Sequence, residues 1–590
     1  MATQCVNFRG KQLQFHDSSM NQSLPRANQH APALTRSWLF ALALSLLASL
    51  ALLAPFFWLG SASGHDFEFH VASWLDVAYQ WHHGVLYPRW TSWTNYGFGE
   101  PRYIFYPPMS WMLGAALTVI LPISWVPAVF ILLTQSFAGL AAFLLLRRLG
   151  SARAACFGAI FYAANPYALL LSYIRSDFAE QLACAIFPLL LLAALRLVQF
   201  LDGEQHTLAS IPQFAIPFAA VWLCNAPAGV IASYSVALLF TWAALTQRSG
   251  KILLRAAAAM LLGFGLTAFY LVPAAYEQRW VNIAQALSTG LLPSQNFLFT
   301  YIDDVEHNWF NSIFSLSAVV LILFTALAAL ASRKFSPATG KSPASSPLWR
   351  SLLLLGAAST LVMVHLSSLL WNFLPQLRFV QFPWRWMSIL AVIACCFFTA
   401  AVERRSGWLC LAFYLALAVP LGIFLEQSTW WDPDEMPTQH AALLSGAGFE
   451  GVDEYDPLGD DHLDLPRNAP LAAVLPASDS GKAPRLPLAT LRVESWQPEL
   501  KIINVDSPVP ARVGLRLLNY PAWQITVNGR EIVPRHPEGI NQMLVPIAAG
   551  KSEIEVRFSR TPDRTAGAAI SLFSFFLGIG LLRVGRRRSF

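Results

Sequence analysis

The chain has 590 residues, 55% of them hydrophobic and 13% charged, with a formal net charge of +6 and a mean hydropathy of +0.46. Soluble domains carry about a quarter charged residues, so the composition excludes that class and points to an integral membrane protein. The excess of Lys and Arg is then read by its position along the chain, and no nucleic-acid partner is expected.

Residues 1–37 read as a disordered cytoplasmic tail. The first apolar run, Trp38 to Gly60, exceeds the roughly 20 residues a bilayer requires and has no tidy cleavage pattern, so it reads as a retained helix. Eleven further runs follow at 126–146, 154–172, 178–197, 210–225, 227–247, 252–274, 311–331, 351–371, 384–402, 406–425 and 566–583, giving about twelve transmembrane helices. Met109 to Leu121 is short of a span by roughly 5 residues and is bounded by Pro107, Pro108 and Pro122. As an interfacial helix, with Trp111 and Tyr106 at headgroup depth, it leaves the basic loops on one side: Arg147, Arg148 and Arg153, then Arg196, Arg248, Lys251 and Arg255, then Lys334, Lys341, Arg404 and Arg405. Both termini, including the basic tail 584–590, are then cytoplasmic, and the segments 61–125, 173–177, 275–310, 372–383 and 426–565 face outward. Six of the seven cysteines lie in apolar runs and read as small buried hydrophobes rather than disulfide partners.

Within 426–565, the stretch 426–490 is rich in Pro, Gly and Asp and reads as irregular. From residue 491 apolar and polar residues alternate, and Asn528-Gly529 between two such runs signals a tight hairpin. An exported, small antiparallel β-sandwich is expected there, tethered by helices at both ends.

The chemistry gathers in the loops. GHDFEFH, residues 64–70, places Asp66 and Glu68 just past the first run, where a carboxylate pair can take a proton or hold a divalent cation such as Mg or Mn. A solvated helix end is the plainer reading of the same residues. His65 or Glu68 could serve as metal ligands, although two histidines five apart, His65 and His70, also suit solvated or hydrogen-bonded roles. The loop after it, YPRWTSWTNYGFGEPRYIFYPP, interleaves Glu100, Arg102 and Tyr103 with Trp90 and Trp93, a composition suited to sugar rings and anionic groups. In SYIRSDFAEQ, Arg175, Asp177 and Glu180 either pair structurally or join a site. YIDDVEHNW, at 301–309, reads as a lid, a carrier-binding segment or a solvated loop.

An acidic pair after the first helix, a long loop with an interfacial helix, a dozen spans and a terminal β domain together resemble the GT-C glycosyltransferases. More narrowly, GHDFEFH, NYGFGEPRYIFYPP, RSDFAEQ, QFPWRW and GFEGVDEYDP resemble the bacterial membrane family labelled 6-pyruvoyl-tetrahydropterin synthase-related. The resemblance implies a GT-C-like membrane domain over 38–425 and inverting transfer of a sugar from a polyprenyl-phosphate donor to a glycan, lipid or protein acceptor at the outer face of the inner membrane. It makes Asp66 the catalytic base and Glu68 its companion, with Arg385, Arg175 and Arg102 on the donor phosphate and Glu100, Tyr103, Trp93, Asp177 and Glu180 on substrate. The rival reading is a non-catalytic protein for export or assembly of lipid-linked glycan. Transporters place polar groups at mid-membrane, and the spans here offer mainly His365.

Overall fold

The computed structural model describes residues 31–201, 208–333, 346–403, 407–459, 465–477, 489–536 and 540–587. The expected tail lies outside these up to residue 30, as do Lys334, Lys341, Arg404, Arg405 and the end of the basic tail from residue 588.

Eight described helices are long and apolar enough to cross a membrane: Ile123–Leu146, Ala152–Arg175, Phe178–Leu197, Ala226–Gln247, Val305–Ser332, Pro383–Val402, Gly407–Ser428 and Pro562–Gly585. Two more runs are bent, Gly250–Leu266 turning by 75° into Ala268–Trp280 and Pro347–Val362 by 93° into His365–Phe373. The count is therefore eight, or ten if each bent pair is one span, where the sequence suggested twelve. The two other expected spans are apolar helices outside this count, Ala31–Leu52 and Ser210–Cys224. The first helix stops at Leu52, three residues before Pro55, and a four-residue turn Phe56–Leu59 follows. Ser210–Cys224 has only 15 residues because Asn225 ends it and caps the next helix, accepting from the Ala228 amide at 2.9 Å. His365 sits at the 93° bend rather than inside a span.

Pro383–Val402 forms the axis of the bundle, packed on Val305–Ser332, Ala152–Ala163 and Pro347–Val362 and enclosed by protein along nearly its whole length. Gly407–Ser428 and Pro562–Gly585 stand at the rim with most of their apolar side chains outward. The short helix Pro108–Ile120 packs on Phe67–His82 and on Val126–Leu146. Its Trp111 is buried against protein and donates to the Tyr106 carbonyl at 3.2 Å, so that ring is not the headgroup anchor expected of it.

The carboxy-terminal part is β-rich. Strands β1 (Ala472–Pro476), β4 (Ala511–Leu518) and β7 (Gln542–Ile547) form one antiparallel sheet in the order β1-β4-β7. Strands β2 (Thr490–Gln497), β3 (Leu500–Ser507), β5 (Trp523–Val527), β6 (Arg530–Glu531) and β8 (Gly550–Phe558) form the other, ordered β2-β3-β8-β5-β6. Asn528 and Gly529 both take positive φ and turn β5 into β6, as their pairing in sequence suggested. Before residue 491 the chain is more regular than expected, with the helix Glu435–Leu444 and strand β1.

Alternation fails in β4, which is buried on both faces. The reason lies far away in sequence: Trp90, Phe98, Ile104 and Phe105 of the 61–125 loop share the apolar core of the β domain, and the Leu518 amide donates to the Phe98 carbonyl at 3.1 Å. A second tie runs through Glu277. Its carboxylate accepts from Arg564 Nε at 2.7 Å, from Arg564 Nη2 at 2.8 Å and from the Tyr520 hydroxyl at 2.6 Å, all out of water. This joins a bundle helix, the β domain and the last helix at one point.

Arg564→Met should leave the Glu277 carboxylate buried without its cation, a loss of roughly 3–5 kcal/mol. The variant is expected to melt well below wild type in detergent, and the double replacement Glu277→Gln with Arg564→Met to recover part of the loss. An unchanged melting temperature would show that the tie contributes nothing.

Candidate functional site

Three segments meet where GHDFEFH begins. The amides of Ser63, His65 and Asp66 donate to the carbonyls of Trp430 (2.7 Å), Ile174 (3.2 Å) and Arg175 (2.8 Å), and the Gly64 amide donates to Ser176 Oγ at 3.0 Å. The chains approach so closely that a Cβ on Gly64 would lie 2.6 Å from the Ile174 carbonyl oxygen, which is why glycine stands there. On the other side, residues 171–175 form a wide π-helical turn and Ser176 is left-handed, φ +50°, before Asp177 caps the helix Phe178–Leu197 by accepting from the Glu180 amide at 2.9 Å.

This docking assembles a cluster of alternating charge. Arg175 Nη2 is bonded to Asp66 and lies 3.4 Å from Asp177. Arg385, in the turn that opens the helix Met387–Val402, places Nη2 3.5 Å from Asp177 and Nε 3.0 Å from Glu180, while its Nη1 donates to the Val380 carbonyl at 3.0 Å. The Tyr167 hydroxyl donates to Glu180. His70, one helical turn beyond Asp66, sets Nε2 3.8 Å from Asp177. The Phe382 ring lies about equally far from both guanidinium carbons, 5.1 Å from that of Arg175 and 5.0 Å from that of Arg385. Burial alone would raise Asp66, but the Arg175 guanidinium and the His65 hydrogen bond outweigh it, Asp177 opposing, and hold the carboxyl below the ordinary range. Asp177 is likewise held low: burial, which would raise it, is overcome by the neighbouring His70 ring and by the charges of Arg175 and Arg385.

One member reaches the surface. Asp66 keeps 23% of its side chain exposed, whereas Arg175, Asp177, Glu180 and Arg385 keep 5% or less. Next to it, His65, Tyr173, Glu306, Trp309, Phe310 and Trp430 line a cleft of about 230 Å³. His65 is 59% exposed and bonds Asp66 Oδ1 through Nδ1 at 2.8 Å. In the 301–309 stretch, Glu306 faces this cleft and Asp304 caps the helix Val305–Ser332, accepting from the His307 amide at 3.0 Å.

Other expected site residues lie elsewhere. Glu68 is exposed on the first turn of the helix Phe67–His82 and takes no part in the cluster. Helix starts at Phe67, so Asp66 and Glu68 are on different faces, not side by side on a loop. Glu100, Arg102 and Tyr103 form a second, buried network apart from the Asp66 cluster. Glu100 Oε1 accepts from Arg102 Nε at 2.6 Å and Oε2 from the Val452 amide at 3.1 Å; Arg102 Nη1 donates to Ser73 Oγ at 3.0 Å. Tyr103 donates to the Ser73 carbonyl at 3.1 Å, with Asp76 Oδ2 at 3.3 Å, and burial pushes Asp76 up to about 6. Trp93 lies in a different cleft, beside the β domain.

Among the described residues no group of three or more His, Cys, Asp or Glu side chains is placed to hold a metal. Both low-lying carboxylates of the cluster are already matched by guanidinium, and Glu68 stands apart from His65's partner Asp66. These donors do not fit a divalent cation. Tyr167 and Trp430 were not singled out as site residues from sequence, and His70 was weighed only as a metal ligand or a hydrogen-bonded histidine.

Residues 103–431 match the family model described as the 6-pyruvoyl-tetrahydropterin synthase related domain, a membrane protein. No curated protein sequence matches the chain. Among solved structures it is similar to the arabinofuranosyltransferase AftD from Mycobacteria, at 17% identity and a TM-score of 0.42, over 70% of this chain and 29% of that one. It is similar to an oligosaccharyltransferase of Archaeoglobus fulgidus at 16% identity and a TM-score of 0.39, over 66% and 55%. A third, ArnT from Cupriavidus metallidurans bound to undecaprenyl phosphate, gives 13% identity and a TM-score of 0.31, over 74% and 87%. The chain thus spans under a third of the first and about half of the second.

Asp177→Asn should weaken the contacts to Arg175, Arg385 and His70 together and cost roughly 3–5 kcal/mol, read as a large drop in melting temperature; a drop within error would demote Asp177 from its central place. The pH dependence has two signs. Asp66 and Asp177 sit below the ordinary 3.8, so the stability they contribute is full above that value and is lost only as pH falls below it. Asp76 sits above, so its contribution is full below 3.8 and is lost as pH rises through about 6. Melts from about pH 4 to about pH 8 should show a decline that levels off above about 6 and that Asp76→Asn abolishes.

Proposed function

The chain belongs to the 6-pyruvoyl-tetrahydropterin synthase-related family of membrane proteins, and we propose that it is a glycosyltransferase of the GT-C kind, moving a sugar from a polyprenyl-phosphate carrier to an acceptor at the outer face of the bacterial inner membrane. One observation carries the reading: in an otherwise buried charge cluster, Asp66 alone emerges, beside an aromatic-lined cleft wide enough for a sugar.

The acceptor hydroxyl attacks the anomeric carbon while the bond from that carbon to the carrier phosphate oxygen breaks. A carboxylate held below the usual range cannot remove the hydroxyl proton in advance, so Asp66 takes it as the new bond forms. A single displacement of this kind inverts the anomeric centre. Proton arrival neutralises Asp66 and leaves Arg175 with only its longer contact to Asp177 at the moment the departing phosphate gains charge. Arg175, whose Nε has no acceptor among the described residues, is therefore the cation assigned to the leaving group. Arg385, enclosed by Asp177 and Glu180, positions the cluster instead of touching phosphate. Tyr173, Trp309 and Trp430 supply ring faces for the sugar and the carrier's head.

The test is transfer of labelled sugar from a polyprenyl-phosphate donor in reconstituted membranes. Asp66→Asn should lower the rate by roughly 100-fold or more, with a modest loss of stability because Arg175 keeps Asp177. Glu68→Gln, changed at an exposed site, should keep nearly the full rate. Wild-type transfer by Asp66→Asn would remove the base, and destabilisation with no specific loss of transfer would return the cluster to a purely structural role.

A further inference from the structure

Between the 61–125 loop and the β domain lies a second, narrow cleft open to solvent that shares no lining residue with the one beside Asp66. Its walls are aromatic and cationic. Tyr79 and Trp93, with ring centres 4.3 Å apart, stand on one side and Trp496 on the other, all three partly exposed, with Trp90 buried between them and the β core. The charge comes from Lys501 and Arg516, and the lining contains no acidic side chain.

Both cations are held in place at a cost. Lys501 is 4% exposed. Its ammonium donates to the carbonyls of Gln497 (2.7 Å) and Pro498 (2.6 Å) and lies 4.5 Å from the Trp523 ring centre, but it has no carboxylate partner among the described ion pairs. Two of its three protons are thereby used. Arg516 lies flat on Gly97, whose φ of +89° and missing Cβ make room: a Cβ there would lie 2.8 Å from Arg516 Nε. That Nε has no acceptor among the described residues, while Nη1 donates to the Ala469 carbonyl at 3.2 Å. Burial pulls Lys501 down to about 7, with Glu499 opposing. A buried ammonium offset only by the nearby Glu499, and a partly exposed guanidinium whose Nε has no acceptor among the described residues, stand among ring faces as a site suited to an anion.

We propose that this cleft binds an anionic saccharide, the apolar face of the sugar against Trp93 and Trp496 and its carboxylate or phosphate on Lys501 and Arg516. Tyr79 belongs to the helix that starts next to Asp66, which puts the cleft roughly 20 Å along that helix from the proposed base. Binding here does not rest on the transfer reading; a role in holding a long acceptor would.

The experiment is calorimetric titration of the full chain in lipid nanodiscs with tri-galacturonate, glucose 1-phosphate and neutral maltotriose. Tri-galacturonate or the sugar phosphate should bind, and whichever binds tighter names the anion; maltotriose should bind at least roughly 10-fold more weakly. Arg516→Gln and Trp496→Ala, both at partly exposed positions, should each raise the dissociation constant of the anionic ligand by roughly 10-fold, with melting temperatures unchanged. Lys501→Met should do the same if it folds, and the other two variants decide the matter if it does not. Equal binding of all three sugars, binding of none, or wild-type affinity in both Arg516→Gln and Trp496→Ala would overturn the proposal. Asp66→Asn should bind as wild type does, so a failed transferase assay leaves this result standing.

Discussion

Backbone contact between residues 62–66 and the turn at 174–177 decides where the charged groups of this protein fall. Hydrogen bonds from Gly64, His65 and Asp66 to Ser176, Ile174 and Arg175 set the first loop against the start of a bundle helix, and the absent side chain of Gly64 makes the approach possible. Once the two backbones are in register, Asp66 lands on Arg175, Arg175 on Asp177, and Asp177 on Arg385. Each charge has a neighbour of opposite sign. That matters because a charge removed from water costs several kcal/mol unless it is paired. The cluster is affordable as a whole and unaffordable in parts, which keeps its members together and leaves Asp66 the one open edge.

The β domain depends on a comparable exchange between distant segments. Its sheets do not close their own core; Trp90, Phe98, Ile104 and Phe105 come from the loop 61–125 to finish it. Glu100 binds the Val452 amide and Asn95 binds Asp456, so polar and apolar contacts fasten the same junction. The loop therefore has two sets of partners. Its start belongs to the charge cluster and its middle to the β domain, with the helix Phe67–His82 as the rigid piece between.

Sequence reading found most of the cluster because its members stand at the ends of apolar runs, where ionisable residues are conspicuous. Asp66, Arg175, Asp177, Glu180 and Arg385 were all visible in this way. Their pairing was not, since nothing in the chain marks Gly64 as lying against Ile174. Glu68 misled because a helix begins between it and Asp66, turning two neighbours to different faces. Glu100 and Arg102 looked like a binding pair because they are charged and two apart. The partners that hold them, Ser73 and the Val452 amide, lie up to 352 residues away. The breaks within the helices were hidden for another reason. Hydropathy sums residues and is blind to breaks, so Pro55, the bend after Leu266 and the bend after Val362 left no trace in it. The hairpin at Asn528-Gly529 was legible because its signal is local and steric.

The shared core of loop and β domain has a consequence for how the protein is made. Asn95 and Asp456 meet across 361 residues. On a ribosome adding roughly 5–20 residues per second, that separation is a wait of roughly 20–70 s. During it the tryptophans and phenylalanines that will complete the β core have nothing to cover them, and most of the bundle must insert before their partners exist. A chain arrested in its last third leaves that aromatic loop with no sheet to receive it. Concealment of that loop thus waits on the last strand, β8, which is made just before the final helix.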